Sequence, residues 1–319
     1  MKDKIVHASD VKPDFKEVKK AWAEIISSYY NGSGDLKEEY TEDVNCPHCY
    51  SNQKHKYFKL NGFIHVKCKN CNSVYVTPRL KDEYIDKLYT DSYYSEMFTK
   101  SMIPFFDKRK KLLGEKKYSQ ILNYSVNKGK ILDIGCGVGE LIDVFKDNDW
   151  DCDVVELNPA AIKWLESRGH NVHEVHFADF NTDIKYDVVM AWNVIEHVLD
   201  PKDFVKKAFQ LLKPGGIFVS EVPNGNSFLV DYCRNSGKDP LRILQGEQHI
   251  MLYSVEAYEE LHLKSGFKKI QVKTNGLDYG TIMNINNIQV NQEIILEIQK
   301  LIDEKNYGDL VRGFWIKQL

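Results

Sequence analysis

An apolar run that passes through three glycines in five positions and straight into a helix leaves few folds open. Ile131-Leu132-Asp133-Ile134-Gly135-Cys136-Gly137-Val138-Gly139-Glu140 is such a run. Glycines between a strand and a helix let backbone approach a ligand closely and mark α/β folds. From 130 onward short apolar segments alternate with amphipathic helices, the pattern of a parallel sheet covered on both faces. Strands are predicted at 130–134, 152–156, 171–175, 186–192, 216–222, 267–273 and 310–318. Asn158-Pro159 and Asp200-Pro201 each set a capping side chain before a proline at the first helical position. The second of these helices carries Phe204, Ala208, Leu211 and Leu212 inward and ends at Pro214-Gly215. An insertion over 223–250 precedes a helix at 254–264, and Ile294, Ile295, Ile298, Leu301 and Ile302 form one further helical stripe. A last strand placed antiparallel beside its predecessor completes a seven-stranded sheet.

Glu156 ends the second strand, 17 residues after Gly139, where a carboxylate can accept hydrogen bonds from both hydroxyls of a ribose. Two ligand classes compete for that geometry. A dinucleotide sets its pyrophosphate on the helix N-terminus, usually with Gly-x-Gly-x-x-Gly, whereas Gly-x-Gly-x-Gly here runs into Glu140 and a phosphate would meet a carboxylate. S-adenosylmethionine has no phosphate; its zwitterionic amino acid suits Asp133 and the glycine amides, and its ribose suits Glu156.

Three more motifs follow in order: Glu156-Leu157-Asn158-Pro159, Asn193-Val194-Ile195-Glu196-His197-Val198 and Leu211-Leu212-Lys213-Pro214-Gly215-Gly216. With Leu132 to Gly139 they resemble class I S-adenosylmethionine-dependent methyltransferases over roughly 120–275, nearest to the branch of ubiquinone-biosynthesis O-methyltransferases and many enzymes of bacterial surface-glycan pathways. The resemblance implies a Rossmann-like seven-stranded methyltransferase sheet. It implies Asp133, Gly135 and Gly137 at the methionine moiety, Glu156 at the ribose, and Asp179 with Phe180 at the adenine edge and face. Cys136, Gly139, Leu157 and Asn193 complete the implied cofactor set.

Methyl transfer from a sulfonium is an in-line displacement that asks for alignment and exclusion of water. A base is needed only when the nucleophile is a hydroxyl, where it is worth ~10²- to 10⁴-fold and histidine suits neutral pH. Glu196-His197 lies just beyond the fourth strand, at the carboxyl edge where open α/β sheets place ligands. Gln248-His249 closes the insertion that carries Asn224, Asn226, Tyr232, Arg234 and Lys238, and loops after the fifth strand commonly cover the acceptor in this fold. His197, His249 and Glu196 are the catalytic candidates. The bland alternatives are a packed histidine at a helix start and an ordinary polar loop. In the ubiquinone branch an additional acid stands three residues before this Glu and can hold a divalent metal; here Asn193 occupies that place, which argues against a metal. No Asn-Pro-Pro-aromatic element, a common grip for exocyclic amines, follows Ala191, which favours oxygen as nucleophile.

Cys46-Pro47-His48-Cys49 and Cys68-Lys69-Asn70-Cys71 are separated by 18 residues, inside the spacing of tetrahedral zinc sites. Four thiolates close the coordination sphere, so Cys46, Cys49, Cys68 and Cys71 are expected to hold structural zinc. Cys152 and Cys233 are buried or incidental, a reading open to Cys136 as well. With ~150 residues per domain, 319 residues suit one small module and one larger domain. The expected layout is an N-terminal helix within 1–43, with Phe15, Val18, Ala21, Trp22, Ile25 and Ile26 at helical spacing over 12–30; a zinc ribbon at 44–80; a helical, aromatic-rich connector at 81–127; and the methyltransferase domain at 128–319. Tyr84, Tyr89, Tyr93, Tyr94, Phe98, Phe105 and Phe106 of the connector are either core between domains or a cover for cofactor or sugar. Lys108-Arg109-Lys110-Lys111 is a solvated face or a contact for a nucleotide-sugar diphosphate.

Lys plus Arg number 43 against 46 Asp plus Glu, a formal charge of -3 that attracts no polyanion, so nucleic acid is not the favoured partner. The N-terminus lacks an apolar signal region and no run of ~18 uncharged apolar residues occurs, which predicts a cytoplasmic protein that does not span a membrane. The expectation is therefore an O-methyltransferase acting on a small molecule, a sugar or nucleotide-linked glycan precursor such as a nucleotide sugar, with a homodimer left open. Its rivals are an RNA base methyltransferase and a non-catalytic cofactor-binding assembly protein.

Overall fold

The computed structural model describes residues 16–124, 128–239 and 243–318. Phe15, and the side chains of Val18, Ala21, Trp22, Tyr89, Tyr93 and Tyr94, lie outside the described residues. Helix α1 (Lys16–Ser27) ends three residues before its predicted end at 30. Its last turn lays Ile25 and Ile26 on a cluster of Tyr29, Phe63, Val76 and Leu80. Strand β1 (Thr41–Glu42) opens the cysteine module, followed by β2 (Lys54–Leu60), β3 (Phe63–Cys68), β4 (Val74–Val76) and β5 (Arg79–Leu80), which pairs back onto β1. Helices α2 (Asp82–Thr90) and α3 (Ser92–Met102) follow, then a helical turn at Phe106–Arg109, a π turn at Lys110–Gly114 and α4 (Glu115–Leu122).

The large sheet is built from β6 (Lys130–Ile134), β7 (Asp151–Val155), β8 (Asn171–His173), β9 (Tyr186–Trp192) and β10 (Leu212–Pro223). Between them run α5 (Glu140–Asp147), α6 (Pro159–Ser167) and α7 (Pro201–Leu211), and after them α8 (Phe228–Ser236), β11 (Met251–Leu252), α9 (Val255–Lys264), β12 (Lys268–Asn275), α10 (Asp278–Ile285), α11 (Gln292–Glu304) and β13 (Leu310–Ile316). The strand order is β12-β13-β10-β9-β6-β7-β8, and β13 lies antiparallel to both neighbours, as expected for the last strand. Val189, Ala191 and Phe218 bury one face of the sheet under α7 and α9, while Ile131, Val188 and Met190 bury the other under α4 and α5.

Three local expectations shift. Helix α7 stops at Leu211, because Leu212 is already paired with Tyr186 in the sheet and Lys213 to Gly216 bulge out before pairing resumes at Ile217. Strand β8 ends at His173. In α11 the predicted stripe is rotated: Leu301 is 60% exposed and Ile294 47%, while Gln299 turns inward at 7%. The Gln299 amide donates to Asp278 (2.9 Å) and Asp303 (3.1 Å) and accepts from the Tyr279 amide (3.1 Å), and these bonds set the helix rotation.

The cysteine module is joined to the large domain by backbone. Strand β11, from the end of the 223–250 insertion, pairs antiparallel with β4, giving a four-stranded sheet of order β11-β4-β3-β2. Ser254 caps α9 and also donates to the Cys71 carbonyl at 2.8 Å, and its amide donates to Ser73 Oγ at 3.0 Å.

Candidate active site

The turn after β6 holds Gly135, Gly137 and Gly139 at φ of 67°, 59° and 80°, the left-handed region that glycine enters without strain. Their surroundings differ. A Cβ on Gly135 would lie 2.9 Å from Val194, and one on Gly139 would lie 2.5 Å from Leu165, whereas one on Gly137 would meet nothing within 4 Å. Two glycines therefore permit packing and the middle one faces open space. Glu156 braces this turn: its carboxylate accepts from the amides of Gly137 (2.8 Å), Leu157 (2.8 Å) and Asn158 (3.0 Å). Burial raises its pKa against those bonds. Asp133 is 2% exposed with Oδ1 unpartnered, and burial holds its carboxyl well above the usual range. The first turn of α5 carries Glu140 and Asp143, which disfavours a phosphate at that helix end. The chemistry present fits S-adenosylmethionine: an open backbone cradle, a buried carboxylate at the turn with acceptor capacity to spare and a second one near the strand end.

The loop after β9 begins at Asn193, itself at φ 55° with its amide on the Glu221 carbonyl, and continues through Val194, which touches Gly135, to a single turn at Ile195–His197. That contact ties the loop that carries Glu196 and His197 to the glycine turn. The structure also brings His249 there: the two imidazoles lie 4.8 Å apart, edge to face. His197 Nδ1 is 3.0 Å from the Gln248 carbonyl, and His249 Nδ1 is 2.8 Å from the Ile243 carbonyl. A carbonyl can only accept, so Nδ1 of His249 carries the proton and Nε2 keeps its lone pair. Burial pushes His197 down to about 3 and His249 to about 4, so both are neutral at pH 7. Glu196 is fully buried, with His197 Nε2 3.9 Å from Oε1, and burial pushes it up to about 8 against the opposing contribution of the Asn193 side chain. Ligand atoms of Glu196, His197 and His249 lie within 4.8 Å of one another, close enough for a divalent cation to bridge despite the asparagine at 193.

Two buried groups beside this cluster were not visible in the sequence. The Tyr253 hydroxyl is buried and unpartnered, and burial, with Glu196 nearby, keeps it protonated. His65, on β3 of the cysteine module, is 1% exposed, stacks on Phe58 at 4.4 Å and is pushed down to about 4 by burial, with His249 nearby. The β4–β11 pairing, the Val76 amide on the Ile250 carbonyl and the close approach of Gly246 to Phe63 bring residue 65 toward residue 249, and no local signal announces it.

Cys46, Cys49, Cys68 and Cys71 converge, with sulfurs within 4.8 Å of one another and two pairs at 3.5 Å. Tetrahedral Zn–S bonds of ~2.3 Å require S···S distances of this size. The two loops match: Tyr50 and Asn72 follow the second cysteine of each pair at φ 58° and 59°, and their amides return to the Cys46 and Cys68 carbonyls.

Two further sets of expected residues have these surroundings. The Phe180 ring, expected against adenine, turns into the core on Phe177 and His173 at 4% exposed, while Asp179 stays at the surface. In the basic run, Arg109 pairs with Glu140 at 2.8 Å, and Lys110 with Asp143 and Asp147 at 2.5 Å, so both are engaged within the chain.

A methyltransferase-domain model matches residues 105–272, more than half of the 319 residues. The chain belongs to that methyltransferase family. A probable S-adenosylmethionine-dependent methyltransferase of Mycolicibacterium smegmatis is 32% identical over 105 residues, 31% of this chain and 39% of that protein. A ubiquinone biosynthesis O-methyltransferase of Acinetobacter baumannii is 32% identical over 111 residues, 31% of this chain and 47% of that protein. The chain thus spans less than half the length of these curated relatives. Among solved structures, the plantazolicin methyltransferase BpumL in complex with SAH superposes with TM-score 0.50 at 13% identity, covering 74% of this chain and 94% of that one, which shows a shared fold.

Proposed function

We propose that the protein transfers a methyl group from S-adenosylmethionine to a hydroxyl of a small molecule, with a sugar or nucleotide-linked glycan precursor as the acceptor class. The observation that carries this is the cluster of Glu196, His197 and His249, the first and last of them buried, on a loop that Val194 ties to the glycine turn. The bound cofactor supplies an electrophilic methyl on a sulfonium. His249, with Nδ1 fixed on the Ile243 carbonyl, takes the acceptor proton at Nε2 as the oxygen becomes nucleophilic. His197 holds the neighbouring wall through the Gln248 carbonyl. Glu196, protonated near neutrality, offers that acceptor a hydrogen-bond donor. The four cysteines hold zinc with a structural role, and the cytoplasm is the compartment that keeps such thiols reduced. The formal charge of -3 disfavours an RNA substrate.

The test is incubation with methyl-labelled S-adenosylmethionine and a panel of nucleotide sugars beside bulk RNA. Label in an alkali-stable ether of one nucleotide sugar is the expected result; label in RNA alone, or in neither with cofactor bound, overturns the acceptor class.

A further inference from the structure

Two tyrosine hydroxyls on one face of the four-stranded sheet have no hydrogen-bond partner among the described residues. Tyr75 is in register with Val66 on β3 and with Met251 on β11, and Tyr253 is still extended at its bridge to Asn224. Side chains alternate along a strand, so Val66 and Cys68, Tyr75, and Met251 and Tyr253 share that face. All five lie in one buried cluster with Cys46. Tyr75 and Tyr253 are each 0% exposed. A buried donor left unmatched is costly, and native folds supply one with an acceptor.

The acceptors that this face offers are cysteine sulfurs. The Tyr253 ring meets the edge of the His48 ring at 6.3 Å, and His48 stands between Cys46 and Cys49 in sequence. Burial and the nearby sulfurs keep both phenols protonated, Tyr75 beside all four cysteines and Tyr253 beside Cys46 and Cys71. Four thiolates on a divalent zinc leave two negative charges. In an apolar cluster those charges must be met by donors. Some are in place: the Asn70 amide is 3.4 Å from Cys68 Sγ, and Ser73, itself 0% exposed, turns its hydroxyl to Cys71. Glu196 is the other group near the Tyr253 hydroxyl, on the turn that packs against β11. The Asn193 side chain already serves that carboxyl, whereas a bond to an anionic sulfur is charge-assisted and the stronger of the two.

We propose that the Tyr75 and Tyr253 hydroxyls donate hydrogen bonds to the thiolates of the zinc-loaded cysteine centre, Tyr253 on the side of Cys46 and Cys71. This rests on the reading that the four cysteines hold zinc. Both tyrosines are positioning residues for the metal, and they reach it from the two strands, β4 and β11, that join the cysteine module to the large domain. Tyr253 has one hydroxyl proton. Given to sulfur, it leaves only lone pairs facing Glu196, so zinc loading fixes the polarity of that wall of the acceptor pocket.

The test replaces zinc by cobalt(II) in the full chain and reads the sulfur-to-metal charge-transfer band. A hydrogen bond lowers the energy of a sulfur lone pair, so Tyr75→Phe and Tyr253→Phe are each expected to move that band to longer wavelength. Zinc affinity, measured by competition with a chromophoric chelator, is expected to fall by about 10- to 100-fold in each, the scale of a lost outer-shell partner. Tyr186→Phe, which removes a buried hydroxyl that donates to Asp153 at 2.8 Å, is the control and keeps the wild-type band and affinity. Lower affinity with an unmoved band assigns the two rings a packing role and overturns the proposal, as does no change in either reading. A response in Tyr75→Phe alone returns the Tyr253 hydroxyl to Glu196 and overturns the assignment of Tyr253. Wild-type protein that forms no thiolate–cobalt band overturns the zinc reading and the proposal with it. Far-ultraviolet circular dichroism that matches wild type shows that the variants are folded.

Discussion

Replacing Glu156 by glutamine separates the cofactor's claim on this side chain from the turn's own. The carboxylate offers about four acceptor positions, and the amides of Gly137, Leu157 and Asn158 use three of them. A ribose hydroxyl takes the fourth, on Oε2, and the second hydroxyl must share an oxygen with a backbone amide. At least one charge-assisted bond, about 1.5–3 kcal/mol, is lost in the variant. Glutamine keeps its single oxygen for Leu157 and Asn158 and turns its amide nitrogen, a donor, toward the Gly137 N–H. That clash costs about 1–3 kcal/mol, offset by removing a buried charge whose pKa burial has raised. The melting temperature should therefore move little, within about 4 °C for a net change near 1 kcal/mol, while S-adenosylhomocysteine affinity falls by about 10- to 100-fold. Calorimetry on both proteins, repeated with an analogue lacking the ribose hydroxyls, closes a double-mutant cycle. The variant should lose nothing further on the analogue. Affinity for S-adenosylhomocysteine within threefold of wild type would refute the assignment of Glu156 to ribose.

Further outcomes follow from the same contacts. His249→Ala should lower kcat by about 10²- to 10⁴-fold on the identified acceptor with S-adenosylhomocysteine affinity within threefold; a fall in kcat of less than fivefold removes His249 as the base. Metal analysis should find one zinc per chain, lost in Cys46→Ser; two equivalents would place a second ion at Glu196, His197 and His249. His262 is held neutral by burial, which pushes it down to about 3, and stacks on Trp315 at 4.3 Å. Its folded pKa lies below the unfolded value near 6.5, so the unfolded chain gains the proton first and this group's stability contribution declines as pH falls from about 6.5 toward 3. In urea melts the stability of wild type relative to His262→Phe should therefore drop by about 1 kcal/mol from pH 6.5 to 5.5; a difference that stays constant with pH would show that His262 does not titrate as described.

What the sequence made legible is what the chain settles locally. Strands β6 and β9 begin and end at the predicted residues because their apolar runs are bounded by Gly129 and Gly135, and by Lys185 and Asn193. Asn158 and Asp200 cap their helices as read, each accepting from two amides of the first turn. Register across the sheet decides the rest. Nothing in Leu211 to Gly216 says that the helix ends one residue before a strand pairs; Tyr186 decides it from across the sheet. The stripe in α11 failed for a related reason, since Gln299 is drawn inward by Asp278, Tyr279 and Asp303, and a hydrophobic count does not see a buried amide with three partners.

The site divides along the same line. Gly135, Glu156 and Val194 lie at strand ends in motif order, so the cofactor half could be read from spacing. The acceptor half depends on pairing between Val74 and Leu252 and between Tyr75 and Met251, residues far apart in the chain. His249 stands two residues before that pairing, and the pairing strand β4 begins three residues after Cys71. Loss of zinc should thus free β4, then β11, then the loop that fixes the His249 ring, while β6, β7 and the glycine turn keep their parallel pairing. Cys46→Ser is therefore expected to abolish methyl transfer with S-adenosylhomocysteine affinity within about threefold. Were cofactor affinity and turnover to fall together, the cysteine module would be supporting the whole fold and its special tie to the acceptor pocket would be wrong.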